Sequence, residues 1–258
     1  MENKVTGVSL DNGNAFVVRF AKNIERLKGI YASDVAKFKK LLESKVNPAF
    51  LSNFHRNIRT AKIIESDKLP KKANGVYYNN KNTIFVRKNA VCSKEILFHE
   101  LTHLSSNNNL DSMRRIGFFY DNTKEHFSIG YGINEGYTAY CNFKLFGSAI
   151  AYPFESLVSK TIEEIIGENT MEELFFNADL KRLIQELQKY VSENEIIDFL
   201  CKLDTFTYNG FNNKINDDET MIKAVNAVKS FLFKVIYISS KTKGLSSDEI
   251  DSIFKWYA

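Results

Sequence analysis

A chain of 258 residues with 44% hydrophobic and 26% charged side chains has the composition of a globular protein able to bury a sizeable core. Only 3 prolines and 12 glycines exclude long disordered linkers and collagen-like segments. Thirty-five Lys and Arg against 31 Asp and Glu leave a net charge of +4, too small an excess to predict a nucleic-acid partner.

The first thirty residues show no basic start, apolar run and small-residue cleavage site, so no signal peptide is expected. They contain a short apolar alternation, Ala15-Phe-Val-Val-Arg-Phe20, and then turn helical. Val35, Phe38, Leu41 and Leu42 fill one helix face. Asn47-Pro48 interrupts that pattern, because the residue before a proline is pushed out of the helical region. Residues 1–70 thus read as a mainly helical segment.

Residues 71–148 are denser in Gly, Asn, Tyr and His. Gly75-Val-Tyr-Tyr78 and Thr83-Ile-Phe-Val-Arg87 flank the polar tetrad Asn79-Asn80-Lys81-Asn82 and predict a hairpin. Residues 149–258 read as helix after helix. After Asp217-Asp218-Glu219, the series Met221, Val225, Val228, Leu232 and Val235 makes a narrow seam for packing on a neighbouring helix. The run Ser230-Phe-Leu-Phe-Lys-Val-Ile-Tyr-Ile238 is too short for a bilayer span, which needs about 20 apolar residues. Cys92, Cys141 and Cys201 are odd in number and lack a Cys-x-x-Cys pair, the pattern of reduced, buried thiols in a cytoplasmic protein. No membrane partner is predicted, and nothing in the sequence sets an oligomeric state.

One segment departs from this background: His99-Glu100-Leu101-Thr102-His103. Four histidines and 31 acidic residues would produce His-acid-x-x-His by chance well below about one time in a hundred. Two histidines four apart sit about 40° from each other on a helix, so both imidazoles can reach one metal ion. Glu100 lies beside them, displaced from the ligand pair, as suits a base rather than a ligand. Leu97, Leu101 and Leu104 form the opposite, packing face, and Ser93 is the expected N-cap. A catalytic zinc typically takes three protein ligands. About thirty residues downstream, Gly132-Ile133-Asn134-Glu135 precedes a helical stretch expected to begin near Ile133 or Asn134, with Glu135 in its first turn. Gly136 beside it lets a second helix approach.

The pair His99-Glu-Leu-Thr-His103 and Gly132-Ile-Asn-Glu135 resembles the gluzincin metallopeptidases, specifically the two zinc helices of the thermolysin-like enzymes, over roughly residues 92–146. By that resemblance His99, His103 and Glu135 are the zinc ligands, and Glu100 is the general base in hydrolysis of a peptide or protein substrate. Thermolysin-like enzymes carry an Asp four residues after the ligand Glu to orient a ligand histidine. That position here is Ala139, leaving Thr138 or Asn142 to accept the imidazole proton. The family also supplies a Tyr or His to hold the oxyanion. Of His126, Tyr131, Tyr137 and Tyr140, the first two rank highest, because they precede the ligand helix. Thr83–Arg87 is the expected edge strand beside the cleft. His55 has no assigned role. The implied fold is α+β and predominantly helical. Residues 71–148 form a zincin-like core with a small sheet packed on the motif helix, and helical residues 149–258 complete the cleft. Two rival readings are a zinc-binding regulator that uses its helical C-terminal part to recruit a partner, and a metal-dependent hydrolase of non-peptide amides.

Overall fold

The computed structural model describes residues 16–91, 93–108, 113–122, 124–148, 151–212 and 218–244, with Ser246 and Asp248. The fold is α+β and mostly helical. Helix α1 (Phe16–Lys45) opens the described chain, so the apolar alternation from Phe16 onward is helical; a run that short has no decisive period of its own. Asn47-Pro48 does end the helix, and Asn47 caps a single 3-10 turn at Pro48–Phe50 before the short helix α2 (Ser52–Asn57). Residues 1–70 also contain a strand, β1 (Lys62–Ser66), which the sequence reading missed.

The predicted hairpin is present as β2 (Gly75–Tyr78) and β3 (Thr83–Arg87), antiparallel, with Tyr77 opposite Ile84. A 3-10 turn at Asn79–Lys81 joins them, and Asn82 closes it at φ 44, a left-handed conformation that Asn tolerates. β1 pairs in parallel with the other side of β3, giving the order β1-β3-β2. The expected edge strand, Thr83–Arg87, is therefore the central strand, and β2 is an edge.

Helix α3 (Ser93–Ser105) carries the motif and lies against β2 and β3. Ser93 is its first residue, and Cys92 lies outside the described residues. A second, antiparallel sheet of β4 (Arg114–Ile116), β5 (Phe119–Asn122) and β6 (Phe127–Ile129) leads into helix α4 (Tyr131–Phe146). Five helices follow: α5 (Pro153–Ile166), α6 (Glu168–Phe176), α7 (Leu180–Leu187), α8 (Glu193–Asn212) and α9 (Asp218–Thr242). The expected seam on α9 packs within the chain, where Val228, Leu232 and Val235 are buried and Phe231 stacks on Phe199 of α8 at 4.1 Å. Buried side chains from α1 to α9 form a single apolar cluster that holds α3 and α4 between the sheet and the later helices. Cys141 is buried, but Cys201 is exposed on α8, contrary to the expectation for all three thiols. No helix among the described residues is long and apolar enough to cross a membrane.

Candidate metal centre and cleft

Leu97, Leu101 and Leu104 are fully buried, which fixes the rotation of α3 and turns His99 and His103 toward α4. The end of α3 is held by Asn57, whose side-chain amide donates to the carbonyls of Leu104 at 3.0 Å and Asn107 at 2.7 Å. The Asn107 N–H also donates to the Leu104 carbonyl at 3.3 Å and Arg56 to that of Asn107 at 3.1 Å, so several donors share the carbonyls that the helix end leaves open.

Helix α4 starts at Tyr131, earlier than the sequence suggested. Gly130 precedes it at φ 85, and the Asp204 carboxylate of α8 accepts from the N–H of Gly130 at 2.9 Å and of Gly132 at 2.7 Å. An anion there complements the positive end of the helix. Burial still raises the Asp204 carboxyl to about 6, against the pull of the same N–H groups. With this start Glu135 falls in the second turn, and its carboxylate faces sideways onto α3 rather than out of the helix end. Gly136 lets α5 close on α4: a Cβ there would stand 2.2 Å from the carbonyl oxygen of Glu155.

The three expected ligands converge. His99 Nε2 lies 3.2 Å from His103 Nε2 and 3.2 Å from one Glu135 oxygen, and His103 Nε2 lies 3.5 Å from the other. Four-coordinate zinc with bonds of about 2.0–2.1 Å sets its ligand atoms about 3.3 Å apart, the edge of that tetrahedron. The donor set and its spacing therefore fit zinc. Burial alone would raise the Glu135 carboxyl, but the imidazoles of His103 and His99 outweigh it and hold the group well below the ordinary carboxylate range.

His103 Nδ1 lies 3.3 Å from Thr138 Oγ1 and 3.4 Å from Asn134 Nδ2. The tautomer that donates Nδ1–H to Thr138 leaves the Nε2 lone pair facing His99 and Glu135. Asn142, the other residue considered for this role, instead donates to Thr102 Oγ1 at 3.1 Å and the Thr138 carbonyl at 2.8 Å.

Glu100 is buried under β2. Burial raises its carboxyl to about 7, with Glu135 adding to the rise and His99 and the backbone N–H of Tyr77 opposing it. Gly75 is required at this crossing, since a Cβ would stand 2.5 Å from Ile96 Cγ2 and 2.9 Å from Glu100 Oε1. The Tyr77 hydroxyl accepts from Asn107 at 2.7 Å and donates to Asn82 at 2.9 Å, tying β2 to the end of α3.

A cavity of about 930 Å³ opens over this cluster; its lining includes β2, His99, Glu100, His103, Glu135, Tyr131 and Tyr152. Of the two preferred oxyanion candidates, Tyr131 lies in the cavity wall and His126 does not. His126 is exposed in the β5–β6 turn at φ 51. Tyr137 is buried, donating to Glu163 at 2.7 Å, and His55 faces Glu43 at the surface, 3.6 Å away.

The sequence reading missed Tyr152. Its ring faces that of His99 at 6.0 Å with 28° between planes, and its hydroxyl is hydrogen-bonded to that of Tyr131. Both phenols are pushed far above their ordinary value, Tyr131 by burial first and Tyr152 by the Glu135 charge first. Tyr152 also sits at φ 53 immediately before Pro153, a backbone region costly for a bulky residue and disfavoured before proline. Tyr-Pro at a helix start is a visible boundary signal; that the ring reaches His99 is a tertiary fact.

Comparison with known proteins finds no matching family model, no matching curated protein and no matching solved structure.

Proposed function

We propose that the protein is a zinc-dependent metallopeptidase. The observation that carries this reading is the convergence of His99, His103 and Glu135 at tetrahedral edge lengths, with a buried carboxyl of near-neutral pKa, Glu100, beside them. His99, His103 and Glu135 would hold the metal. Zinc, when bound, supplies a Lewis acid and lowers the pKa of a coordinated water toward neutrality.

The chain's own groups supply the rest. Glu100 takes a proton from the attacking water and returns it to the departing amine. Tyr131 and Tyr152 carry the hydroxyl donors that can turn to the developing oxyanion. Because the Arg87 N–H donates to the Asn74 carbonyl, alternation along the antiparallel pair turns the backbone groups of Gly75 and Tyr77 away from β3, toward the cleft. An extended peptide can pair there while Tyr77 N–H holds Glu100.

The test is metal analysis of the purified protein together with cleavage of a mixed peptide library, for the native chain and Glu100→Gln. One zinc per chain in both proteins, with hydrolysis confined to the native chain, is expected. Hydrolysis undiminished in Glu100→Gln, or no zinc in the native protein, would overturn the reading.

A further inference from the structure

The charges along the cleft are unevenly arranged. At the Gly75 end of β2 the cavity is lined by one basic and one acidic exposed residue, Lys72 and Glu95, which offset each other. The Lys72 ammonium is also engaged with the Gly210 carbonyl at 3.2 Å. At the Tyr78 end both charged residues in the lining are basic: Lys81, closing the turn after β2, and Arg114, opening β4, which packs against that turn. Both are exposed. Arg114 shares its charge with Asp121 at 3.5 Å, which is outside the lining. Ile116 and Phe119 provide the apolar part of the wall nearby.

Strand direction turns this asymmetry into a substrate preference. A peptide pairing antiparallel to β2, the more stable arrangement per residue, runs from the Tyr78 end toward the Gly75 end. Its scissile bond lies over Glu100, which is held from Tyr77 and covered by Gly75. At about 3.3 Å per residue, the segment facing Lys81 and Arg114 is then about two or three residues amino-terminal to that bond.

We infer that this end of the cleft selects peptides with an acidic side chain amino-terminal to the cleaved bond, and that the enzyme is an endopeptidase. A free amino terminus brings an ammonium to two cationic side chains and is disfavoured there, whereas a carboxylate is attracted. The inference rests on the metallopeptidase reading, because that reading places the scissile bond.

The experiment compares peptides identical except for Glu, Gln or Lys two or three residues before the cleaved bond, each with an acetylated and with a free amino terminus, on the native zinc-loaded chain. Exposed charge pairs are each worth a factor of about two to five, so the Glu peptide should exceed the Lys peptide by about tenfold in kcat/KM. The order should collapse or reverse in Lys81→Glu and Arg114→Gln, both surface changes. Equal rates for the three peptides, or a strict requirement for a free amine, would overturn the inference and leave the peptidase reading standing. If no peptide is cleaved, the peptidase reading fails. Binding of the same labelled peptides to zinc-loaded Glu100→Gln then decides the charge preference alone: tighter binding of the Glu peptide supports it and indifference overturns it.

Discussion

Helix α4 bears two buried polar clusters, one near each end, and they differ in kind. Toward its C-terminus, Lys144 contacts Glu163 at 3.0 Å, Glu168 at 2.9 Å and Glu172 at 3.1 Å, with Tyr137 donating to Glu163. The cation there is the chain's own ammonium, which has protons to give and no lone pair to offer. Near the N-terminus, two imidazoles and a carboxylate converge with no Lys or Arg ion pair to Glu135 among the described residues, and the cluster lines a cavity. Buried charge by itself therefore does not mark a site. The separating features are donor atoms that carry lone pairs, their spacing, and access from solvent.

Substitutions at the two clusters should accordingly fail in different ways. Glu135→Ala should lose bound zinc altogether, measured as metal per chain after dialysis, while the far-ultraviolet circular dichroism stays native. Lys144→Met leaves two largely buried carboxylates without their cation. It should cost about 3 kcal/mol in denaturant unfolding, with zinc still bound one to one. If Lys144→Met also stripped the metal, the two clusters would be one coupled unit and the contrast would fall. Thr138→Val tests a finer point. It removes the oxygen beside His103 Nδ1 at nearly constant volume, and should weaken zinc binding about 10- to 100-fold in a chelator competition. An unchanged affinity would mean that the Thr138 hydroxyl does not hold the His103 tautomer, since the nearby Asn134 Nδ2 is a donor and cannot accept from Nδ1–H.

Sequence alone carried the centre of the site because its signals are local. Two histidines and a glutamate on one helical repeat are an arrangement that spacing can reveal, and Glu135, at a Gly-rich helix start, was singled out by the resemblance to the second zinc helix of the thermolysin-like enzymes. The parts it missed are held by contacts distant in sequence. β1 lies about twenty residues before β3 and pairs in parallel, so no turn signal announces it; without β1, Thr83–Arg87 passes for an edge. The start of α4 was misplaced because its cap, Asp204, arrives from 72 residues downstream. Tyr152 reaches His99 only because α5 folds back along α4 over Gly136. Cys201 sits in a helical stretch, and its exposure depends on which face α8 turns outward.

Asp204 gives a pH-dependent effect and a test of how far the later helices govern α4. Its carboxyl is raised to about 6 by burial, against about 4 in an unfolded chain. The folded state therefore binds the proton more tightly than the unfolded state. The stability from this group is complete below about pH 4 and is lost as pH rises through about 6. Asp204→Asn carries no such titration. The stability of the native chain relative to this variant should fall between about pH 4 and 6 and level off above, as read from urea midpoints at matched pH. A flat difference across that interval would show that Asp204 titrates normally and that its bonds to Gly130 and Gly132 are made without a cost in burial. The same variant keeps one acceptor oxygen for those N–H groups, so zinc stoichiometry should not change, and the Lys144 cluster at the far end of α4 should not respond.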